Sequence, residues 1–222
     1  MESSRLVDLI KKNGTGLALI LFPLVFTFAF AVHPGLANPH LLDPRELIFR
    51  AHQNSVLQFG HVLVTLNTAL LVVVALHFMK LLDRSSSALA GFIGAALAIM
   101  GAIFLAADKG ALCLTMSSFD SLTQEEFTQI LPGVLAIFNK EGWMVLVWGM
   151  VLLPVGFGIQ AIALIKARIF PYWQSILFLI GAVFIATPDG LEIINLFASI
   201  LMAIALVPYG IRILAKRVEA KG

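Results

Sequence analysis

Five polar residues recur along one segment at helical spacing: Asn54, Gln58, His61, Thr65 and Thr68 are separated by four, three, four and three positions. With ~3.6 residues per turn, that pattern places all five on a single helical face. The segment around them, Val56 to Leu82, is otherwise apolar apart from Asn67, His77 and Lys80. Lipid offers polar side chains no partners, so the stripe is expected to face the bundle interior or a water-filled cavity. His61 is the member that titrates near neutrality. It is about two turns from the start of its helix, close enough to the surface to exchange protons and deep enough to be desolvated. Its plainer reading is a neutral histidine bonded to a neighbouring helix. Asn67, off the stripe, reads as interhelical glue.

His33, His40 and His52 are expected on the same side as His61, leaving His77 near the opposite one. Imidazole suits zinc, copper and haem iron, and helix bundles hold such centres with ligands from two helices at similar depth. His33 and His61 are therefore the candidate ligands for a haem or transition-metal cofactor. The signal has little specificity, because no His-x-x-x-His, Glu-x-x-His or Cys-x-x-Cys-His motif occurs. His52 and His61 are nine positions apart, on opposite helical faces. Three acids next to apolar sequence, Asp108, Glu141 and Glu192, complete an expected polar cavity with Asn54, Gln58, His61 and Thr65. Such a pocket suits a cation, a proton relay or a polar head group. Lys109, Lys140 and Asp189, near helix ends, are expected to snorkel to water.

These groups need a scaffold, and composition defines its solvent. Of 222 residues, 59% are hydrophobic and 13% charged, with mean hydropathy +0.95. Soluble domains carry roughly a quarter charged residues, so most of this chain is expected to face lipid or buried helices. Apolar runs of about 20 residues read as spanning helices. Six are expected, over 14–33, 56–80, 88–108, 143–165, 173–188 and 191–213, making one all-α polytopic transmembrane bundle. The fifth is short, with a re-entrant hairpin as its rival and Tyr172 and Trp173 as interface anchors. Alternating spans put eleven basic and four acidic residues on one side, a net of +7, and four basic and nine acidic on the other, a net of −5. Lys and Arg accumulate in cytoplasmic loops, so both termini are expected in the cytoplasm of a plasma or inner-membrane protein. Ala29-Phe30-Ala31 imitates a signal-peptide cleavage site; the reading preferred here keeps the first run as a span.

Two loops on the acidic side have structure of their own. Asp43-Pro44-Arg45-Glu46 reads as a capped start of a short interfacial helix, and Ser121 to Glu126 as another helix start. In the third span Gly91, Gly94, Ala95, Ala98, Gly101 and Ala102 form a small-residue stripe for close packing, which would seat that helix at the bundle centre. Pro154 is expected to bend the fourth span. Cys113 alone excludes internal disulfides and multi-cysteine metal sites. No hydrolase elbow, zinc-protease helix or phosphate-binding glycine loop is present, and a net charge of +2 gives nucleic acid no purchase. The lipid bilayer is the expected partner, with other membrane proteins or a second copy beside it. Three readings remain: a protein with an outward polar cavity that binds or transports a small solute, cation or lipid head group; a redox subunit carrying haem or copper; and a structural subunit of a membrane complex.

Overall fold

The computed structural model describes residues 2–33, 36, 43–138, 144–185 and 192–215, with side chains left aside at 2–5, 138 and 144–147. Glu141, Lys140, Asp189 and His40 lie outside the described residues. All eight elements within them are helices: α1 (Glu2–Ala31), α2 (Pro44–Ala51), α3 (Ser55–Leu82), α4 (Ala88–Phe119), α5 (Gln124–Phe138), α6 (Met144–Ala167), α7 (Tyr172–Phe184) and α8 (Glu192–Ala215). Five contain stretches long and apolar enough to cross a membrane: Leu6–Ala31, Ser55–Leu82, Ala88–Phe119, Trp148–Ala167 and Glu192–Ala215. Helices of this composition point to membrane insertion, since in lipid the backbone can be satisfied only within its own segment.

Two boundaries differ from the expectation. The third span is expected to end at Asp108, yet α4, 32 residues in all, continues to Phe119. Its charged pair is accommodated within the helix, with Asp108 at 1% exposure and its Oδ2 3.7 Å from Lys109 Nζ. The expected fifth span, 173–188, is represented by α7, which has 13 residues. At ~1.5 Å per residue α7 is about 20 Å long, short of a hydrocarbon core of about 30 Å.

Six helices form a ring in which α1 packs on α3, α3 on α4, α4 on α6, α6 on α7, α7 on α8, and α8 on α1. Neighbours run antiparallel. Asn67 of α3 donates to the Phe22 carbonyl of α1 at 3.0 Å, Gly101 of α4 faces Leu153 of α6, and Gly16 of α1 faces Leu214 of α8. The start of α1 and the end of α8 therefore meet, and Lys12 Nζ donates to the Leu214 carbonyl at 3.1 Å. The small-residue stripe of α4 makes the α4–α6 seam, where Gly94 and Ala98 meet Gly156 backbone to backbone. Contrary to the expectation, α4 is not the central helix: its other face exposes Leu89, Phe92 and Ile103 at 72%, 60% and 61%.

The middle of the ring is aromatic. Phe22 of α1 stacks on Phe157 of α6 at 6.3 Å, and Phe78 of α3 meets Phe178 of α7 at 5.3 Å; both pairs reach across the ring. Phe157 and Phe178 join them at 5.4 Å. Gln160, fully buried, donates Nε2 to the Ala75 and Gly91 carbonyls at 2.9 and 3.3 Å, tying α6 to α3 and α4.

At the end away from Lys12 and Leu214, α4 runs on to meet α2 and α5. Ile48 and Ala51 of α2 and Phe127, Leu131 and Val134 of α5 form a second core with Leu57 of α3 and Met116 of α4. Both expected starts are present. Asp43 accepts from the Arg45 amide at 2.8 Å to begin α2. Before α5, Thr123 N donates to Glu126 Oε2 at 2.8 Å and Glu126 N to Thr123 Oγ1 at 3.3 Å, a reciprocal capping box. The Thr123 backbone amide, and then its hydroxyl, hold the Glu126 carboxyl below the usual carboxylate range.

Candidate functional site at the capped end of the bundle

Chain reversal at each seam brings the end of α1, the first half of α3 and the start of α8 to one end of the ring. His33, two residues past the end of α1, places Nδ1 3.5 Å from Oε1 of Glu192. Glu192 begins α8 and is 2% exposed. From the other flank, the His61 ring lies 6.5 Å from that of His33, centroid to centroid. Residues 33, 61 and 192, remote in sequence, thus converge. Asn195 follows Glu192 by three positions, so it shares its helical face, and it is equally buried at 2%. Sequence reasoning passed over Asn195, although a polar residue one turn after a buried acid was a legible signal.

Gln58 and Thr65 of the stripe face α4. A Cβ on Gly110 would touch Thr65 Cγ2 at 3.8 Å, and Cys113 Sγ lies 4.0 Å from the Gln58 carbonyl. Each member has a specific bond. Asn54 is the N-cap of α3, accepting from Leu57 N at 3.0 Å and donating to Arg50 O at 3.3 Å. Gln58 donates Nε2 to Asp120 Oδ2. Thr65 donates back to the His61 carbonyl at 2.9 Å, and Thr68 to Thr65 at 2.6 Å. Threonine hydroxyls bonded to their own helix need no neighbour, so one polar face serves three purposes: cap, interhelical bond and site.

Asp108 is buried on the face of α4 that includes Gly101, Leu112 and Met116. His52 is the C-cap of α2, stacked on Phe127 at 3.9 Å with the rings 7° apart. Its Nε2 is 3.1 Å from the Phe119 carbonyl; since a carbonyl can only accept, that nitrogen carries the proton. His52 thus acts as an anchor for the cap. His77, at the opposite end of α3, contacts the Tyr209 hydroxyl at 3.2 Å.

Buried amides are the main polar groups that the sequence reading left out. Gln160 and Gln174 are both fully buried, and Gln174 Oε1 accepts from Arg212 Nη2 at 2.9 Å, linking α7 to α8. The rule that flagged His61, a polar side chain inside an apolar run, applies to them equally. Among the described residues, no three of His, Cys, Asp and Glu are grouped so as to hold a metal ion. Comparison with protein-family models, curated proteins and solved structures finds no match to this chain.

Proposed function

We propose that the chain is an integral membrane protein whose capped end binds, and in its working cycle transports, a small solute of cationic character. The observation that carries this reading is the convergence of His33, His61 and the buried carboxyl of Glu192 from three separate helices. Asp108, buried in α4, is included as a further acid. A carboxyl removed from water interacts strongly with any cation that reaches it. In the purified protein, a panel of monovalent, divalent and quaternary ammonium cations should include one that raises the melting temperature. Glu192→Gln should weaken that ligand at least tenfold, about 1.4 kcal/mol, with His61→Ala weakening it less. Wild-type indifference to every cation between pH 5 and 8, or full affinity in Glu192→Gln, would sink the proposal.

The approach of His33 and His61 favours one further reading, a redox subunit with haem or copper on these two imidazoles. A visible spectrum with metal analysis separates the two: a Soret band or stoichiometric metal lost in His33→Ala and His61→Ala supports the redox role, and a colourless, metal-free protein rejects it.

For topology, we propose six crossings, with α7 as the fifth, and with the start of α1 and the end of α8 in the cytoplasm of a plasma or inner membrane. The antiparallel ring supports an even count, and Lys11, Lys12, Lys80, Arg84, Lys166 and Arg168 all fall at the end where α1 starts and α8 finishes. With Cys113→Ser as background, cysteine at Thr123 should react with an impermeant maleimide on intact cells, and cysteine at Ser86 only after permeabilisation. The reverse pattern would invert the orientation.

A further inference from the structure

The turn joining α6 to α7 carries two cations over an apolar wall. A hollow here, at the end of the bundle where α1 starts and α8 finishes, is lined by Lys166 and Arg168 with Ile165, Ile169, Phe170 and Tyr172. Lys166 occupies the last turn of α6, and Arg168 follows with φ 54°, a left-handed conformation that turns the chain toward α7. Both side chains are exposed, and among the described residues no carboxylate is within ion-pair distance of either. The wall beneath them is fixed. Phe170 is 4% exposed and packed edge-on against Tyr209 at 4.6 Å and Phe78 at 5.9 Å.

Tyr172 and Trp173, at the start of α7, are 66% and 52% exposed. Amphipathic rings at that position seek the head-group level of a bilayer. A free anion would interact with the two cations and gain nothing from the apolar wall or the rings. A molecule with an anionic phosphate head and an acyl tail uses all three.

We propose that this hollow is a binding site for an anionic phospholipid, with the phosphate between Lys166 and Arg168 and the first acyl carbons along Ile169 and Phe170. The site rests on the chain lying in a membrane but is independent of the His33–Glu192 end. In a defined site, each basic residue that touches the head group favours anionic lipid by about fivefold in affinity.

The test uses the full chain purified in a neutral detergent, with phosphatidylglycerol titrated against phosphatidylcholine and followed by melting temperature and by retained lipid in native mass spectrometry. Phosphatidylglycerol should bind in preference. Lys166→Gln with Arg168→Asn should lower its affinity about 25-fold, one factor for each charge; asparagine tolerates the left-handed backbone at 168. Lys80→Gln with Arg84→Gln, at the α3–α4 turn of the same bundle end, should retain wild-type preference. Should the first double variant fail to fold, Lys166→Gln alone should show the fivefold loss. Equal losses in both double variants, no preference over phosphatidylcholine, or full competition by millimolar inorganic phosphate would each overturn the site. Alkaline extraction of membranes tests the underlying placement separately: a protein retained in the pellet but without lipid preference refutes the site alone, whereas one released to the supernatant refutes the membrane reading.

Discussion

Replacing Gly156 by valine will lower the melting temperature by roughly 10 °C or prevent recovery of monodisperse protein. Overpacking a close seam costs about 1–3 kcal/mol and occasionally more, which corresponds to a few degrees per kcal/mol at this chain length. The figure sits at the upper end because of what the new carbon would meet. A Cβ on Gly156 would collide with the Ala98 amide nitrogen and stand 2.6 Å from the Gly94 carbonyl oxygen. These are backbone atoms of α4, held in its hydrogen-bond ladder, so they cannot turn aside as a flexible side chain would. Gly101 opposes Leu153 in the same way, its added carbon 2.6 Å from the Leu153 Cα. Relief requires α4 and α6 to separate along the seam, and in lipid close backbone packing is itself the main source of association. Two controls test the mechanism. Gly158→Ala, on the same helix, meets only Leu179 Cδ1 at 3.9 Å and should change little. Gly14→Ala in α1 meets nothing within 4 Å and should be neutral or raise stability by up to about 1 kcal/mol. A Gly156→Val protein melting with the wild type would show that the seam does not govern stability.

Asp120→Ala should release the cap while leaving the ring intact. Asp120 Oδ1 accepts from the Gln53 amide at 2.7 Å and Oδ2 from Gln58 Nε2. The first bond holds Gln53 in its left-handed conformation, φ 57°, at the junction of α2 and α3. Hydrogen bonds to charged acceptors contribute about 1.5–3 kcal/mol each when buried, and the partial exposure here reduces the pair to roughly 2 kcal/mol. Amide exchange should therefore quicken about 30-fold around Gln53 and Phe127, with no change at Phe22 or Gln160. Asp120→Asn keeps one acceptor oxygen in place of two and should give about half the effect. Uniform loss of protection through the ring would instead make cap and ring one cooperative unit.

What was legible in the sequence follows from which physical signal dominated locally. Small-residue spacing in α4 identified a packing face correctly, because Gly94, Ala98 and Gly101 have no other use at that spacing. It could not say which helix would meet that face, and the centre of the ring went to phenylalanines instead. Local hydrogen-bond chemistry placed the starts of α2 and α5, since a cap is settled within four residues. Charge misled at Asp108 and Lys109. Their adjacency reads as a helix end, but a buried carboxyl beside a cation can continue a helix, and α4 runs eleven residues further. The approach of His33 to His61 was anticipated from matched depth. The pairing of His33 with Glu192 was not, because it depends on α8 returning beside α1, which no local pattern encodes.

That return has a consequence for biogenesis. The seam between α1 and α8 is closed by Gly16 and Gly210, where a Cβ on Gly210 would stand 2.7 Å from the Gly16 carbonyl oxygen. During synthesis α1 emerges well before α8, its partner on this side. Until then the inward face of α1, including Ala18, Leu19 and Phe22, all fully buried in the finished ring, must be sheltered by lipid or by an insertion factor. A ribosome halted before α8 would leave an open arc with a long unsealed groove, the sort of exposed face by which quality-control proteases recognise an orphaned intermediate.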